Sequence, residues 1–413
     1  MSSQLITQPG YVKITKCKLT NPLINAELEI FDQIQTIDIF EDISKPTIYA
    51  QIYILDSIDL INKFPIVGQE DIEITFATDE SVKVTYKFCV FEISNINKLK
   101  GDRSQTYILR CVSKEHLYNN TNLITQSYDG LLSDFVPDVL ARYTKTKKAI
   151  AVDNTKGSQT IVVPRLTPFE FIDMCRQKAV SQKYAASSYL FFENQDGFNF
   201  KTIESLIEEG VQNIGSRNFI YKQHQTIKDT PEKNVIQYRT MQSYEYVQNV
   251  DNNERLIRGT LKAVTKTFDI VTKKMIVSNF DLISDVSKMK FPNDKQKLDM
   301  NAEFINQYAT STPIQFFRFS NSLVPENFID ASVAIRNSYK NIFNSSFVRI
   351  KIHGDSGLKA GSVINITVPL SSGFDENNID TESGNYLVIR LRHILSGGTS
   401  PLHEIVLDCT RVI

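Results

Sequence analysis

The chain has 413 residues, of which 23% are charged, and a formal net charge of −1 at pH 7. This near-neutral balance argues against a dedicated nucleic-acid binder, which needs clustered Lys and Arg side chains. The length allows two to four domains with large apolar cores, so the fold needs no disulfide or metal to hold it together.

The cysteine pattern and the start of the sequence predict where the chain is made. Its five cysteines are far apart and form no C-x-x-C pair: Cys17, Cys89, Cys111, Cys175 and Cys409. We expect free thiols that pack as small apolar side chains. No basic stretch with a following apolar segment opens the sequence, and no window approaches the roughly 18 apolar residues of a membrane span. A chain made in a reducing cytosol, without signal peptide or membrane span, is therefore expected.

Residues 1–117 are predicted to form a first all-β module. Apolar and polar residues alternate with a period of two in runs around Ile52, Ile74, Phe88 and Leu109. That period places alternate side chains on opposite faces of a strand. Regularly spaced strands of this kind favour a sandwich or a barrel, and only residues 56–63 are typical of a short helix.

Residues 118–217 are predicted to form an α/β insertion domain. An apolar stripe over residues 132–143 indicates a helix, and we expect Pro137 in its first turn with Ser133 or Asp134 as the cap. Residues 160–163 form a strand pattern, and residues 189–200 form a hairpin pattern with a turn at 194–197.

A second helix of this insertion has a clear start signal. Thr167 is expected to be the N-cap, Pro168 the first helical residue, and Glu170 an acidic residue in the first turn. This combination satisfies exposed N–H groups and uses proline where its missing N–H costs nothing.

The remaining sequence is predicted to hold a second β module that is interrupted by another insertion. Residues 218–283 contain its first strands, with a hairpin tip at 249–254. Residues 284–345 are polar and helix-like, with 331–343 as the best helix. Residues 346–413 complete the module, with strands in 347–354, 358–366, 383–394 and 403–411.

The last two strands are predicted to form a hairpin with one buried face. Alternation places Leu387, Ile389 and Leu391 inward, against Ile405 and Leu407. On the other face, two arginines should be exposed opposite two acidic residues of the partner strand. These four residues are Arg390, Arg392, Glu404 and Asp408.

Four parts of the sequence resemble the central baseplate hub proteins of contractile-tailed bacteriophages, of the T-even type, and the related hub domains of secretion-system spikes. They are the G-x-Y-L-V strand at 384–388 that runs to His393 and its final partner strand, the hairpin at 190–200, the strand-to-helix junction at 164–172, and the segment 336–354. The resemblance implies a mainly β fold with α/β insertions: two tube-type antiparallel β-barrels plus two accessory domains.

The same resemblance implies a structural virion protein and not an enzyme. A homotrimer would join the hexameric tail tube, or its initiator proteins, to the trimeric central spike, and would contact baseplate wedge proteins. Each trimer would present six barrels to the tube and a threefold face to the spike. DNA would only pass through the channel, whose lining should avoid strong positive charge. The expected location is the baseplate of the virion tail.

One motif resembles a nucleophile loop and one histidine pair resembles a metal site, but the surrounding sequence favours neither. Ser356 lies in a G-D-S-G tetrapeptide, but the sequence around it is that of a glycine-rich turn between strands. His393 and His403 could meet across the terminal hairpin, yet His403-Glu404 lacks the second histidine of H-E-x-x-H and lies in a strand pattern. We expect a structural or interface role for both histidines.

Charged clusters are also expected to be ordinary solvated surface. The acidic pairs Glu208-Glu209 and Asp375-Glu376 lie in stretches interpreted as polar and turn-rich, and the basic cluster of Lys145, Lys147 and Lys148 has no interleaved aromatic residues. The sequence contains no Walker phosphate loop and no G-x-G-x-x-G. We therefore predict no catalytic, cofactor-binding or metal-binding residues, and no cofactor.

Two other functions are compatible with the sequence. One is a tail-associated cell-wall hydrolase, which a cell-wall hydrolysis assay would detect. The other is the hub domain of a type VI secretion-like spike. Such hubs are normally fused to a repetitive β-helix, and the sequence shows no such repeats up to Ile413, which favours the phage hub. Neighbouring genes for tube, sheath and spike would also distinguish the two.

Overall fold

A computed structural model describes most of the chain. The described residues are 9–64, 66–78, 83–98, 104–184, 187–221, 233–248, 260, 262–269, 272–281, 315–318, 333–338, 341, 346–369, 382–398 and 401–412. The predicted hairpin tip at 249–254 and the pair Asp375-Glu376 lie outside these ranges. So does most of 284–345, although residues 333–338 within the predicted helix 331–343 are helical.

The first module is a curled antiparallel sheet. Its strands are β1 (Lys13–Asn21), β2 (Ala26–Glu29), β3 (Ile34–Asp42), β4 (Tyr49–Asp56), β5 (Asp71–Ala77), β6 (Lys83–Lys98) and β7 (Gln105–Val112), with helix α1 (Leu60–Lys63) after β4. The order across the sheet is β3-β4-β7-β6-β5-β1-β2. Alternate side chains of these strands fill one apolar core, as the period-two pattern predicts.

The insertion packs four helices around two small sheets. Its elements are α2 (Lys114–Thr121), β8 (Ser127–Leu131), α3 (Leu132–Val139), a π-helix (Leu140–Thr144), β9 (Ala149–Val152), β10 (Ser158–Val162), α4 (Pro168–Lys178), β11 (Tyr189–Asn194), β12 (Gly197–Thr202) and α5 (Ile203–Gln212). β10 pairs with β8, and β11, β12 and β9 form a three-stranded sheet. A separate aromatic-rich core joins α3, α4 and the two small sheets, whereas α5 packs in another apolar cluster.

Helix α4 begins as the sequence predicts. The Thr167 hydroxyl accepts a hydrogen bond from the Glu170 N–H, the Glu170 carboxylate reaches back to the Thr167 N–H, and Pro168 is the first helical residue. This reciprocal capping box satisfies two N–H groups that the helix itself cannot use. The predicted hairpin at 189–200 is also confirmed, with Asn194 paired to Gly197 at its turn.

The predicted cap of helix α3 is wrong. The helix begins at Leu132 after Leu131 and contains Pro137 in its interior, where neither Ser133 nor Asp134 is the cap. The N–H of Ser133 instead donates to the hydroxyl of Thr155, at 3.1 Å. A neighbouring loop thus satisfies a terminal N–H group, so the helix needs no cap of its own and can start before the proline.

The second module is completed by strands from two distant parts of the chain. The first part holds β13 (Asn218–Ile220), the helix α6 (Lys233–Arg239) and β14 (Ser243–Gln248), and the second part holds β18 (Ser346–His353), β19 (Val363–Thr367), β20 (Gly384–Ser396) and β21 (His403–Val412). Between the two parts lies a separate three-stranded sheet of β15 (Lys262–Asp269), β16 (Lys274–Asp281) and β17 (Gln315–Arg318). β14, β18, β21, β20, β19 and β13 follow one another by pairing. Met241 N–H donates to Ile220 C=O, which brings the chain before β14 back against β13. The strands therefore encircle a second core.

The terminal hairpin of β20 and β21 belongs to both modules. Its far end contributes Leu395 to the first core, and the N–H of His403 donates to the carbonyl of Gly10, just before β1. Val12 N–H likewise donates to Pro401 C=O. The first module is thus completed by residues about 390 positions away in sequence, while the division into five domains with the predicted boundaries remains a prediction.

The three residues of this hairpin that are predicted to face inward are all buried, but only Leu391, beyond a β-bulge, has the predicted packing partners. The register shifts between Val388 and Arg390, so the side chains on either side of the shift change faces. Leu391 packs in the second core with Ile405 and Leu407, as predicted. Leu387 and Ile389 instead face a different apolar cluster, which contains α5, because the insertion covers that side of β20.

Candidate functional site

The candidate functional site is the junction where one sheet continues from the second module into the first. Strand β20 pairs with β21 along most of its length. Its first residues also pair with β19, whereas Arg390 to Ser396 pair with β3 of the first module. Because backbone hydrogen bonds cross the boundary without a break, the two modules are held as one rigid unit at this point.

A row of alternating charge crosses this junction on the outer face of the sheet. Arg349 of β18 lies opposite Asp408 of β21, Asp408 lies opposite Arg390 of β20, and Arg390 lies opposite Asp42 of β3. Arg349 Nε is 2.7 Å from Asp408, and Arg390 is 3.6 Å from Asp408 and 3.4 Å from Asp42. Of the ion pairs predicted between the two arginines and the two acidic residues of this hairpin, the one between Arg390 and Asp408 is present.

The neighbouring row differs from the prediction. Arg392 pairs with Asp38 of β3 at 2.7 Å instead of with Glu404, and Glu404 pairs with Lys351 of β18 at 2.9 Å. The Asp38 side chain is only 2% exposed, whereas that of Arg392 is 43% exposed. The acidic partner could not be predicted from the hairpin alone, because β3 lies more than 340 residues earlier in the chain.

Beneath this face lies a buried chain of polar side chains, which we call the junction chain: Glu41, Tyr86, His393 and His403. The Tyr86 hydroxyl donates to Glu41 Oε1 at 3.0 Å, and Tyr86 Oη is 3.4 Å from His393 Nε2. His393 Nδ1 is 2.8 Å from His403 Nε2. Glu41 Oε2 accepts the N–H of Ala360 at 2.8 Å. The junction chain therefore links β3, β6, the terminal hairpin and the loop before β19.

Burial governs the electrostatics of the junction chain. All four side chains are in the interior, and loss of water raises the pKa of Glu41 to about 7, against hydrogen bonds from Ala360, Tyr86 and Gln195 that lower it. Burial lowers the pKa of His393 to about 3 and the pKa of His403 well below its usual value. Both imidazoles are therefore neutral at pH 7.

A second buried polar group ties the insertion to the first module. The carboxylate of Glu193 on β11 accepts the N–H of Ile48 at 3.1 Å and forms an ion pair with Lys148. Lys148 also pairs with Glu115 at 2.8 Å. Burial raises the pKa of Glu193, and the charge of Lys148 opposes that shift. Lys148, predicted to be part of a solvated cluster, is thus a bridging ion, whereas Lys145 and Lys147 are exposed.

The remaining residues weighed in the sequence have ordinary structural surroundings. The Ser356 side chain is buried, and Thr78 Oγ1 lies 2.8 Å from its hydroxyl oxygen, so it holds a loop of the second module against the first. Glu208 and Glu209 lie in helix α5, which corrects the turn-rich interpretation. They pair with Lys183 at 2.9 Å and with Lys201 at 2.6 Å.

The described residues contain one further cleft of note, of about 330 Å³, between the β11–β12 hairpin, α5 and residues 357–363. Its basic side chains are already paired: Lys201 with Glu209, Lys359 with Asp196, and Arg217 with Asp355. Among the described residues no cluster of three or more His, Cys, Asp or Glu side chains could hold a metal ion. Within the same ranges, no helix is long and apolar enough to cross a membrane.

Sequence reasoning found the two histidines of the junction chain but missed Glu41 and Tyr86. A signal existed for Glu41, since an acidic residue at an inward-facing position of an alternating strand must have a buried partner. For Tyr86 no such signal existed, because tyrosine is common on the inner face of a strand.

Comparison with known proteins gives the fold. No protein-family model and no curated protein matches the chain. Among solved structures, the 43 kDa tail protein of prophage MuSo2 from Shewanella oneidensis has a TM-score of 0.58 at 9% identity, covering 96% of this chain and 98% of that one. The tail protein from Neisseria meningitidis MC58 has a TM-score of 0.56 at 10% identity, covering 96% of each chain. A Francisella PdpA–VgrG complex also matches, more weakly, with a TM-score of 0.46 at 8% identity, over 97% of this chain and 58% of that one.

The two stronger matches extend over nearly the whole chain, so the mainly β fold with its insertions is that of phage tail proteins. The resemblance to the hub family seen in the sequence is thereby confirmed at the level of fold.

Proposed function

We propose that the protein is a structural component of a phage tail, a baseplate hub that joins the tail tube to the central spike. The observation that carries the proposal is the sheet that runs unbroken from one β module into the other through β20 and β3. Such a sheet fixes the relative orientation of two barrel-like units within one chain. The fold it shares with two tail proteins supports the same role.

Two β modules held in a fixed orientation within each chain would allow a threefold assembly to bind a sixfold one. In the family that the sequence resembles, the tube is sixfold and the spike is threefold. Three copies of a chain with two rigidly joined modules would offer six units to the tube and three equivalent faces to the spike. The insertion at 118–217 would brace the ring from outside, towards baseplate wedge proteins.

The row of alternating charge on the outer face of the sheet would suit the lining of a channel through which DNA passes. Basic side chains on a channel wall would bind phosphates and hold the genome back. Arg349 and Arg390 carry exposed guanidinium groups, but each contacts Asp408, and Arg390 also contacts Asp42. The positive charge is thus compensated within the wall itself. We assign this outer face of the shared sheet to the channel for genome passage.

We propose an assembly role and not an enzymatic one. The hydroxyl of Ser356, the residue closest to a nucleophile motif, is buried against Thr78, where a substrate could not reach it. The two histidines contact each other in the interior and are fully buried, so a substrate could not reach either ring.

Native mass spectrometry tests the proposal. The full chain would be co-expressed with the tube and spike proteins encoded beside it, and the complexes weighed intact. The account expects three copies of the chain per spike trimer. A chain that stays monomeric in the presence of both partners, or purified chain that cleaves cell-wall material, would overturn it.

A further inference from the structure

The junction chain can exist in two hydrogen-bonded directions, and the difference between them is one proton. With Glu41 ionised, Tyr86 O–H donates to Glu41 Oε1, as the geometry shows. Tyr86 Oη can then only accept from the imidazole, so His393 carries its proton on Nε2. His393 Nδ1 is left to accept, and His403 must donate from Nε2. Every hydrogen bond of the junction chain is then donated in the direction from His403 towards Glu41.

His403 Nδ1 is the last atom of the junction chain, at the end away from Glu41. It is buried and has no hydrogen-bond partner among the described residues. In the direction just given it is an unprotonated acceptor. Its surroundings are tight, since a Cβ atom on Gly354 would collide with the imidazole ring. The backbone of Gly354 therefore packs directly against the ring, on the side of Nδ1.

We propose that the junction chain is a switch that reverses the direction of its hydrogen bonds when Glu41 takes up a proton. In the reversed state the proton that has been taken up is carried by His403 Nδ1, and the Nε2 proton of His403 has moved to His393 Nδ1. The Nε2 proton of His393 moves to Tyr86 Oη, whose own proton moves to Glu41 Oε1. Each group passes on one proton and receives one, and the net result is a neutral carboxyl group at Glu41. Both imidazoles then carry their protons on Nδ1.

The charged groups around the carboxylate support a transition near neutral pH. Glu41 of β3 meets the Tyr86 hydroxyl from β6, the Ala360 N–H from the loop before β19, and the Gln195 N–H from the β11–β12 turn. Two further carboxylates, Glu193 and Asp196, lie on the insertion side. Their cationic partners are Lys148 and Lys359. Burial, helped by Glu193, raises the pKa of Glu41 to about 7.

Reversal has a structural consequence. In the protonated state His403 Nδ1–H is a buried donor without an acceptor, which is unfavourable. The strain falls on the contact between His403 and the 354–361 loop, where two modules meet. Reversal would therefore act on the joint between the terminal hairpin and that loop. This inference does not depend on the proposed role in a tail.

Histidine tautomers report the switch directly. Side-chain nitrogen NMR of full-length protein labelled in histidine distinguishes Nδ1–H from Nε2–H in His393 and His403. We expect both residues to change from Nε2–H at pH 9 to Nδ1–H at pH 5.5. A single tautomer for both residues across this range would refute the switch.

Two variants make the test specific. Glu41→Gln can accept from Ala360 with its oxygen and donate to Tyr86 with its nitrogen, so it should hold the Nδ1–H tautomers even at pH 9. Tyr86→Phe breaks the connection and should make the tautomers independent of Glu41. If Glu41→Gln shows the same pH-dependent change as the wild type, the proposal is wrong. Should either variant fail to fold, the wild-type measurement decides alone.

Discussion

The imidazole of His403 occupies the space that a side chain at residue 354 would need. A Cβ atom built on Gly354 would overlap the Cβ, Cγ and Nδ1 atoms of His403. The N–H of Gly354 also donates to the carbonyl of His403, at 2.8 Å. The glycine at the end of β18 therefore lets the strand approach the start of β21, which carries one end of the junction chain.

Gly354→Ala should destabilise the protein by about 1–3 kcal/mol, because a methyl group would be forced into a filled site. Chemical denaturation of the full chain measures this. The control is the same substitution in a His403→Gly background, which lacks both the ring and the Cβ atom, so the added cost should be small. Equal costs in both backgrounds would mean that the two residues do not compete for this volume.

Substitutions on the terminal hairpin should differ according to burial. Leu391→Ala should cost about 2–5 kcal/mol, since the side chain is 1% exposed in the second core. Arg392→Ala should cost about 1–3 kcal/mol, more than an exposed ion pair, because Asp38 would remain buried without its partner. Removing Asp38 as well should recover part of that loss. A larger cost for Arg392 than for Leu391 in urea unfolding would contradict the assigned faces.

Lys148→Met should loosen the insertion from the first module. The variant leaves the carboxylates of Glu193 and Glu115 without their shared cation, at a cost of about 3–5 kcal/mol. Lys147→Met is the matched control, because Lys147 is exposed and the ion pairs with Glu115 and Glu193 are formed by Lys148. Thermal unfolding should give a clearly lower melting temperature for Lys148→Met than for Lys147→Met. Identical melting temperatures would show that the buried ion group does not hold the insertion.

The pH dependence of stability should differ between the wild type and Glu41→Gln. As pH falls below about 6.5, unfolded histidines take up protons that buried His393 and His403 refuse, so stability falls in both proteins. Between pH 7 and 4.5 folded Glu41 takes up its proton before the unfolded chain does, which offsets part of that loss in the wild type only. Denaturation from pH 8 to 5 should therefore show the steeper loss in Glu41→Gln. A steeper loss in the wild type would contradict the raised pKa of Glu41.

The sequence predicts local structure well and long-range pairing poorly, for physical reasons. The capping box at Thr167 and the β11–β12 hairpin are set by neighbouring residues, and both are confirmed. The partner of Arg392 lies on β3, which no local pattern connects to β20, and the bulge at Val388 lies where the pairing of β20 changes from β19 to β3. Similarly, the start of α3 depends on Thr155 in another loop.

The candidate site shows the same division. Alternation correctly placed Leu391 inward and Arg390 outward beside Asp408. The meeting of His393 and His403 followed from their positions in one hairpin. Glu41 and Tyr86 complete the junction chain from strands that are far away in sequence, so only the folded sheet brings them together.

The central claim is that two rigidly joined β modules in each chain convert threefold into sixfold symmetry. A cryo-EM reconstruction of the chain bound to its tube and spike partners tests this most directly. The account predicts three copies, whose six β modules form one ring against the tube, with the Arg349–Asp408–Arg390–Asp42 row facing the channel. Six copies that each place one module in the ring, or three copies with this row facing outward, would contradict it.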